Sequence, residues 1–148
     1  MEAKENRTEK ELVIVTGMSG AGKSEAMNCF EDRDYFSIDN FPINLFQYLD
    51  EIFLNSRKQE KSASAIDVRN GQISKQLNEK LKRLEQKGID YKIIYVDART
   101  EVLLSGYELS RRKHPLNMYD TLISNIEAER KIMENFMVKA DLVIDTST

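Results

Sequence analysis

The residues with the clearest chemical meaning are eight consecutive positions near the start of the chain, which read GMSGAGKS. They fit the pattern G-x-x-x-x-G-K-[ST] of a phosphate-binding loop. Glycines let a backbone wrap around an anion without Cβ clashes, and the N–H groups of such a loop converge on phosphate oxygens. The pattern therefore predicts a nucleoside triphosphate site made of Gly17, Met18, Ser19, Gly20, Ala21, Gly22, Lys23 and Ser24.

Lys23 and Ser24 are the two side chains of this loop with specific expected roles. The lysine is expected to reach the β- and γ-phosphates, and the serine hydroxyl is expected to bind Mg²⁺. The flanks agree, because the apolar run at 12–15 predicts a buried strand and the unbroken run at 23–30 predicts a helix that opens onto the phosphates. The alternative is a glycine-rich turn that binds nothing, and the two flanks argue against it.

A magnesium site at such a loop also needs a carboxylate, bound to the metal directly or through water. Asp67 and Asp97 both follow apolar runs. The run before Asp97 is the better strand, whereas topology favours Asp67, since the acid in kinase-like P-loop folds lies on the strand beside the loop strand. We favour Asp67 as the metal carboxylate, with Arg69 near a phosphate. For Asp97, which precedes Thr100, we favour capping of the next helix.

The densest basic run is Arg111, Arg112, Lys113 and His114, followed by Pro115. Positive charges between a helix and a loop suit a lid over phosphates, in which Arg111 and Arg112 would stabilise charge on the transferred phosphoryl group. A solvated helix terminus and a small RNA-binding patch are the alternatives, and the lid is favoured because a phosphate loop lies in the same small domain. We place His114 in the lid without a catalytic role.

Asp39 and Asn40 directly follow a predicted strand and precede Phe41 and Pro42. Asp39 is a candidate general base for the hydroxyl of an acceptor substrate. The structural interpretation, in which Asp39 or Asn40 caps the following helix, is favoured because Asx before proline is a common turn and cap signal. Cys29, within the first helix, is interpreted as a small packing residue.

Strand-like runs alternate with helical patterns along the whole chain. This alternation predicts an α/β fold: a three-layer α/β/α P-loop fold with a five-stranded parallel sheet in the kinase-like order 2-3-1-4-5. Strands are expected at Leu12–Thr16, Tyr35–Ile38, Ala63–Val68, Tyr91–Val96 and Leu142–Ile144, with a loop at Asn55–Ser64. Helices are expected after the phosphate loop, from Pro42, and from Thr100 to about Leu109. Another is expected to carry Ile73, Leu77, Leu81 and Leu84 and to stop at Gly88. The last is expected from about Tyr119 to Lys139, with Leu122, Ile126, Met133 and Met137 inward.

Composition narrows the class of protein. The 148 residues make one domain, and the net charge of −3 argues against general electrostatic binding to nucleic acid. No apolar run is long enough to span a membrane, and residues 1–10 are charged and predict a flexible tail rather than a signal peptide. With one cysteine and one histidine, neither a disulfide framework nor a His/Cys zinc site is expected, so the cytoplasm is the simplest location.

The motifs GMSGAGKS, IDNFP, IDVRN, SRRKHPL and ADLVIDTS, in this order, resemble the RapZ/YvcJ family of P-loop nucleotide-binding proteins. The resemblance implies binding and hydrolysis of ATP and GTP, with 17–24 as the ATP loop and Asp67, Val68, Arg69 and Asn70 as a second, GTP-associated motif. One branch of the family is an RNase adapter, whose RNA contacts are attributed to a C-terminal domain. This chain stops before that domain, so RNA binding is not expected of it, and a piece cut from a longer protein is favoured over a natural short form.

The chain departs from the family at Asp34, where a glycine is expected before the second strand. A glycine there would allow a turn with positive φ, which aspartate tolerates acceptably. Three functions follow, in order of preference: a regulatory NTPase with slow turnover, a small-molecule kinase that transfers the γ-phosphoryl group of ATP, and a module that binds nucleotide without turnover.

Overall fold

The computed structural model describes residues 11–48, 61–68, 70–110 and 121–147. In this part of the chain, five strands form one sheet in the order β2-β3-β1-β4-β5, and every neighbouring pair is parallel. The strands are β1 (Glu11–Gly17), β2 (Phe36–Ile38), β3 (Lys61–Ala65), β4 (Lys92–Asp97) and β5 (Leu142–Asp145). The helices are α1 (Lys23–Glu31), a 3₁₀ helix (Ile43–Tyr48), α2 (Gly71–Gln86), α3 (Thr100–Ser110) and α4 (Leu122–Lys139). The predicted fold class and strand order are confirmed.

Strand β1 lies at the centre of the sheet, between β3 and β4. Its register aligns Val15 with Ala65 on one side and with Ile94 on the other. Residues 12–15 are almost completely buried, because helices cover both faces of a parallel sheet. The buried centre fixes where β1 ends, and the phosphate loop begins at that point.

Each long helix turns an apolar stripe to the core. Leu77, Leu81 and Leu84 of α2 are buried at helical spacing, as the sequence predicts. On α4, Ile126 and Met133 are buried, but Met137 is 40% exposed, so its predicted inward position is wrong. Phe136 takes the inward position at that turn. None of the helices in the described ranges is long and apolar enough to cross a bilayer.

Two predicted element boundaries are wrong. Strand β3 begins at Lys61, so residues 61–64 are not part of a loop, and it ends at Ala65, two residues before Asp67. Ser62 and Ser64 made this segment look polar, but both are buried in β3, which pairs with β1 on one side and with β2 on the other. After Pro42 the chain forms a 3₁₀ helix rather than an amphipathic α-helix in the residues that are described.

Three details concern single residues. Asp34 has φ 66°, so the turn before β2 adopts the left-handed conformation expected at that position. Cys29 is exposed on α1, and its predicted packing role is wrong because Met27 holds the buried position of that turn. Helix α4 begins after Thr121, whose Oγ1 accepts a hydrogen bond from Ser124 N at 3.1 Å. Its predicted start near Tyr119 and the predicted tail at 1–10 lie outside the described residues.

Candidate phosphate-binding site

The predicted phosphate loop lies at the carboxyl end of β1, and its first residue is pressed against β4. Gly17 has φ 149°, and a Cβ placed on it would lie 2.1 Å from the carbonyl oxygen of Val96. Met18 N donates to that same carbonyl at 3.0 Å, and Met18 is fully buried. Only glycine fits where the loop leaves the sheet, which explains the first glycine of the motif.

The loop then turns into α1. Ala21 N donates to Met18 O at 3.1 Å, which closes a tight turn. Gly22 is the N-cap of α1, with φ 101°, and its carbonyl accepts from Ala26 N. Beyond β5, Thr146 Oγ1 donates to Ala21 O at 2.7 Å and holds the turn from the other side. The N-terminus of α1, where backbone N–H groups lack intrahelical partners and the helix dipole is positive, opens onto this loop.

Lys23 lies across the loop. Its Nζ donates to Met18 O at 3.1 Å and to Gly17 O at 3.4 Å, and it lies 3.4 Å from Asp67 Oδ1. The lysine side chain is 11% exposed and the Asp67 side chain is 37% exposed. The ammonium group therefore satisfies backbone carbonyls of its own loop and pairs with a carboxylate that follows β3.

Ser24 contacts an acidic residue that the sequence analysis assigned to a different role. Its Oγ donates to Asp39 Oδ2 at 3.0 Å. The Asp39 side chain therefore hydrogen-bonds to the phosphate loop. The prediction that Asp39 caps the following helix is wrong. Asn40, with φ 56°, turns the chain directly after it.

Ser19 contacts a buried carboxylate of α4. Glu129 is 1% exposed, and its Oε2 accepts from Ser19 N at 3.1 Å and from Ser19 Oγ at 2.6 Å. Burial raises the pKa of the nearby Tyr95, and the carboxylates of Asp97 and Glu129 act in the same direction. The phenol therefore stays protonated beside these two carboxylates.

The next residue of α4 fixes the end of β4. Arg130 donates to Asp97 Oδ1 at 2.9 Å, to Ala98 O at 2.7 Å and to Thr100 Oγ1 at 3.2 Å. Asp97 Oδ1 also accepts from Ala98 N. The prediction that Asp97 caps α3 is wrong, because its carboxylate is engaged by an arginine of a distant helix.

The remaining predicted site residues fall into two groups. Val68 is buried, and Asn70 is the N-cap of α2, with its Oδ1 accepting from Ile73 N at 2.9 Å. Both follow Asp67 closely, but the contacts described for them are structural. Arg69, Arg111, Arg112 and His114 lie outside the described residues.

Sequence reasoning missed Glu129, although the sequence carries a signal for it. Glu129 falls three residues after Ile126 and four before Met133, on the apolar stripe of α4. A carboxylate on the buried face of an amphipathic helix requires a hydrogen-bond partner, since an unpaired buried charge is costly. This position distinguishes Glu129 from Glu127 and Glu134, which are exposed.

The side chains at the α1 end of the loop fit a magnesium ion. Mg²⁺ binds oxygen ligands, keeps several waters, and is usually held by one or two carboxylates together with substrate phosphates. Ser24, Asp39 and Asp67 supply a hydroxyl and two carboxylates next to the loop.

Comparison with known proteins identifies the family. The profile of the RapZ-like N-terminal domain matches residues 10–148. The chain belongs to the RapZ-like family. A nucleotide-binding protein of Syntrophomonas wolfei is 40% identical over 143 residues, which cover 97% of this chain and 49% of the relative. One of Carboxydothermus hydrogenoformans is 43% identical over 138 residues, which cover 92% and 48%. The chain spans about half the length of the curated relatives it matches.

Solved structures confirm the fold of this RapZ-like domain. Shikimate kinase from Bacteroides thetaiotaomicron superposes with a TM-score of 0.58 at 13% identity, over 92% of this chain and 86% of the kinase. Shikimate kinase from Acinetobacter baumannii gives 0.59 at 14% identity, over 99% and 88%. At this identity the likeness concerns the α/β P-loop fold.

Proposed function

We propose that this RapZ-like domain binds a nucleoside triphosphate as its magnesium complex at residues 17–24 and hydrolyses it slowly, as a regulatory unit of a larger cytoplasmic protein. The observation that carries the proposal is the position of Lys23, whose ammonium lies 3.1 Å from Met18 O across a loop in the phosphate-binding pattern. The curated relatives are named nucleotide-binding proteins, which supports the same ligand class.

The loop supplies the phosphate contacts. Lys23 would leave the carbonyls of Gly17 and Met18 and pair with the β- and γ-phosphates, since a phosphate carries full negative charge and a carbonyl does not. The backbone N–H groups at the start of α1 would bind the same oxygens, helped by the helix dipole. Binding then requires movement of one side chain rather than a change of the loop.

Ser24 would hold Mg²⁺ through its hydroxyl, and Asp67 would contribute to the same site, as the sequence predicts. The distance of 3.4 Å between Asp67 Oδ1 and Lys23 Nζ supports this assignment. A bound Mg²⁺ would supply positive charge that offsets the negative charge of the phosphate oxygens. Val68, Arg69 and Asn70 follow as the rest of the motif that the family associates with GTP.

Arg111 and Arg112 complete the proposal as charge-stabilising residues near the γ-phosphate, in a segment that leads into α4. Both ATP and GTP are proposed as substrates on the family resemblance. RNA is not proposed as a partner of this half, because the family attributes RNA contacts to its C-terminal domain.

Calorimetric titration with ATP and with GTP, each with Mg²⁺ and in EDTA, tests binding. We expect micromolar or tighter affinity for at least one magnesium complex. Absence of binding by the folded chain to every form would contradict the proposal. Phosphate release from bound nucleotide then tests hydrolysis. ADP release only when a small-molecule acceptor is added would indicate a kinase, and unchanged nucleotide after long incubation would indicate a binding module.

A further inference from the structure

Asp39 occupies a position that neither the family motifs nor the strand pattern assigns to the metal. It follows β2, two strands away from β1 in the sheet, yet its Oδ2 accepts from the Ser24 hydroxyl at 3.0 Å. That hydroxyl is the one expected to bind Mg²⁺. Because the hydroxyl hydrogen points to Asp39, the lone pairs of Ser24 Oγ point elsewhere and remain available to a cation.

The backbone around Asp39 holds the carboxylate in this place. Asn40 has φ 56°, which bends the chain sharply after β2. Phe41 is 7% exposed, and its N–H donates to Ala65 O at the end of β3 at 2.6 Å. Strand β3 pairs directly with β1, so this hydrogen bond ties the turn at 39–41 to the edge of the sheet where the phosphate loop begins. The approach of Asp39 to Ser24 therefore follows from buried packing.

The charge around Asp39 differs from that around Asp67. Asp67 Oδ1 lies 3.4 Å from Lys23 Nζ, so a cation of the protein already competes for this carboxylate. Asp39 contacts a neutral hydroxyl and, among the described residues, forms no ion pair. An exposed carboxylate without a cationic partner, anchored beside a metal-binding hydroxyl, is the better ligand for a hydrated Mg²⁺.

We propose that Asp39, next to Ser24, is the main carboxylate of the magnesium site, and that Asp67 mainly positions Lys23. The proposal rests on the proposed function, because it concerns the metal that accompanies the nucleotide. It replaces the general-base interpretation of Asp39, since a carboxylate engaged with the metal site is not available to an acceptor hydroxyl.

The test compares Asp39→Asn with Asp67→Asn, using a nonhydrolysable ATP analogue titrated with Mg²⁺ and in EDTA. The measured quantity is the ratio of the two affinities for each variant. We expect Asp39→Asn to lower this ratio about tenfold, a free energy of about 1.4 kcal/mol, while the affinity in EDTA stays equal or rises because a negative charge near the phosphates is removed. Asp67→Asn should change the ratio less.

Asp34→Asn is the matched control, since Asp34 is exposed at the far end of α1 and its positive φ suits asparagine equally well. Binding of Mn²⁺ in the presence of a saturating concentration of the analogue, followed by electron paramagnetic resonance, gives a second readout that reports on the metal itself. We expect weaker Mn²⁺ binding in Asp39→Asn and wild-type binding in Asp34→Asn.

Ser24→Ala breaks the same pair from the other side and covers the case in which Asp39→Asn does not fold. The double variant should lose less than the sum of the single losses, because residues that act on one ligand are not additive. A wild-type ratio in Asp39→Asn, with a lowered ratio in Asp67→Asn, would overturn the proposal. Equal losses in Mg²⁺ and in EDTA would also overturn it. Failure of the wild type to bind either form would instead contradict the proposed function.

Discussion

Residues 17–19, the β1 end of the phosphate loop, contact partners that are almost completely buried, whereas Lys23 and Ser24, at the α1 end, contact the exposed or partly exposed carboxylates of Asp67 and Asp39. Val96 and Glu129, which hold the β1 end, are 0% and 1% exposed. Asp67 is 37% exposed at its side chain, and Asp39 is exposed. Contacts of the first kind are costly to break, and contacts of the second kind are easily exchanged for a ligand.

The β1 end of the loop therefore serves as a structural scaffold, and the α1 end serves as the binding site. At the β1 end, β4 and α4 fix the path of the backbone, which must stay in place for its N–H groups to converge on an anion. At the α1 end, the Lys23 ammonium and the Ser24 hydroxyl contact groups that phosphates and Mg²⁺ can replace as partners. The comparison predicts that changes at the β1 end reduce stability and that changes at the α1 end reduce ligand binding with little effect on stability.

Gly17→Ala should have the largest effect. A Cβ at this position would lie 2.1 Å from the Val96 carbonyl oxygen, in a backbone conformation with φ 149° that L residues rarely adopt. Because backbone atoms must move, we expect a loss of about 3 kcal/mol or more in the free energy of unfolding, measured by urea denaturation. Gly71→Ala is the control, since a Cβ there meets nothing within 4 Å. Wild-type stability of Gly17→Ala would refute the scaffold role of the β1 end.

Lys23→Ala should have the largest effect on binding. Loss of a charged hydrogen-bond donor to phosphate should weaken triphosphate affinity about 100-fold, or about 2.7 kcal/mol, in calorimetric titration. The melting temperature should stay near that of the wild type, because Lys23 is not a core residue. Lys92→Ala, at the opposite end of the sheet, is the control. Equal affinity in Lys23→Ala would remove the basis for assigning this loop to phosphate.

Glu129→Gln should act mainly on stability. The amide nitrogen of glutamine cannot accept the hydrogen bonds that Ser19 donates to the carboxylate, so we expect a loss of about 1–2 kcal/mol in the free energy of unfolding. Triphosphate affinity should fall only a few-fold, because the loop loosens without losing a phosphate contact. Glu127→Gln, exposed on the same helix, should match the wild type in both measurements. A larger effect on binding than on stability would mean that Glu129 belongs to the site.

Asp97→Asn should have the smallest effect. Its carboxylate pairs with Arg130, and both side chains are partly exposed, so we expect a loss of about 1 kcal/mol or less in stability. The dependence of nucleotide binding on Mg²⁺ should not change, whereas Asp67→Asn should weaken it. If titrations with and without Mg²⁺ show that Asp97→Asn weakens the Mg²⁺ dependence more than Asp67→Asn does, the metal carboxylate is Asp97, at the end of β4.

The loop and the strand order could be predicted because both depend on local patterns. The spacing of glycines, lysine and serine in 17–24 is a property of consecutive residues, and strand–helix alternation restricts the topology to few arrangements. Asp97 was misinterpreted because its partner, Arg130, lies 33 residues later on another helix. No local sequence pattern distinguishes an aspartate that caps a helix from one that pairs with an arginine far away in the sequence.

Asp39 and Ser62 illustrate two further limits. The contact of Asp39 with Ser24 depends on the order of β2, β3 and β1 across the sheet and on the bend at 39–41. The sequence Asp-Asn-Phe-Pro is equally compatible with a helix cap, so it does not reveal this contact. Ser62 and Ser64 are buried in β3, which lies between β2 and β1 in the sheet. Because hydropathy scales count serine as polar, the first residues of this strand were predicted to be part of a loop.

A crystal structure of the chain with Mg²⁺ and a nonhydrolysable ATP analogue tests the comparison most directly. The account predicts that Lys23 Nζ leaves the carbonyls of Gly17 and Met18 for the phosphates, with the metal beside Ser24. The hydrogen bonds from Ser19 to Glu129 and from Met18 to Val96 should remain as they are. A complex in which these bonds at the β1 end break, or in which Lys23 stays on its carbonyls while nucleotide binds elsewhere, would contradict it.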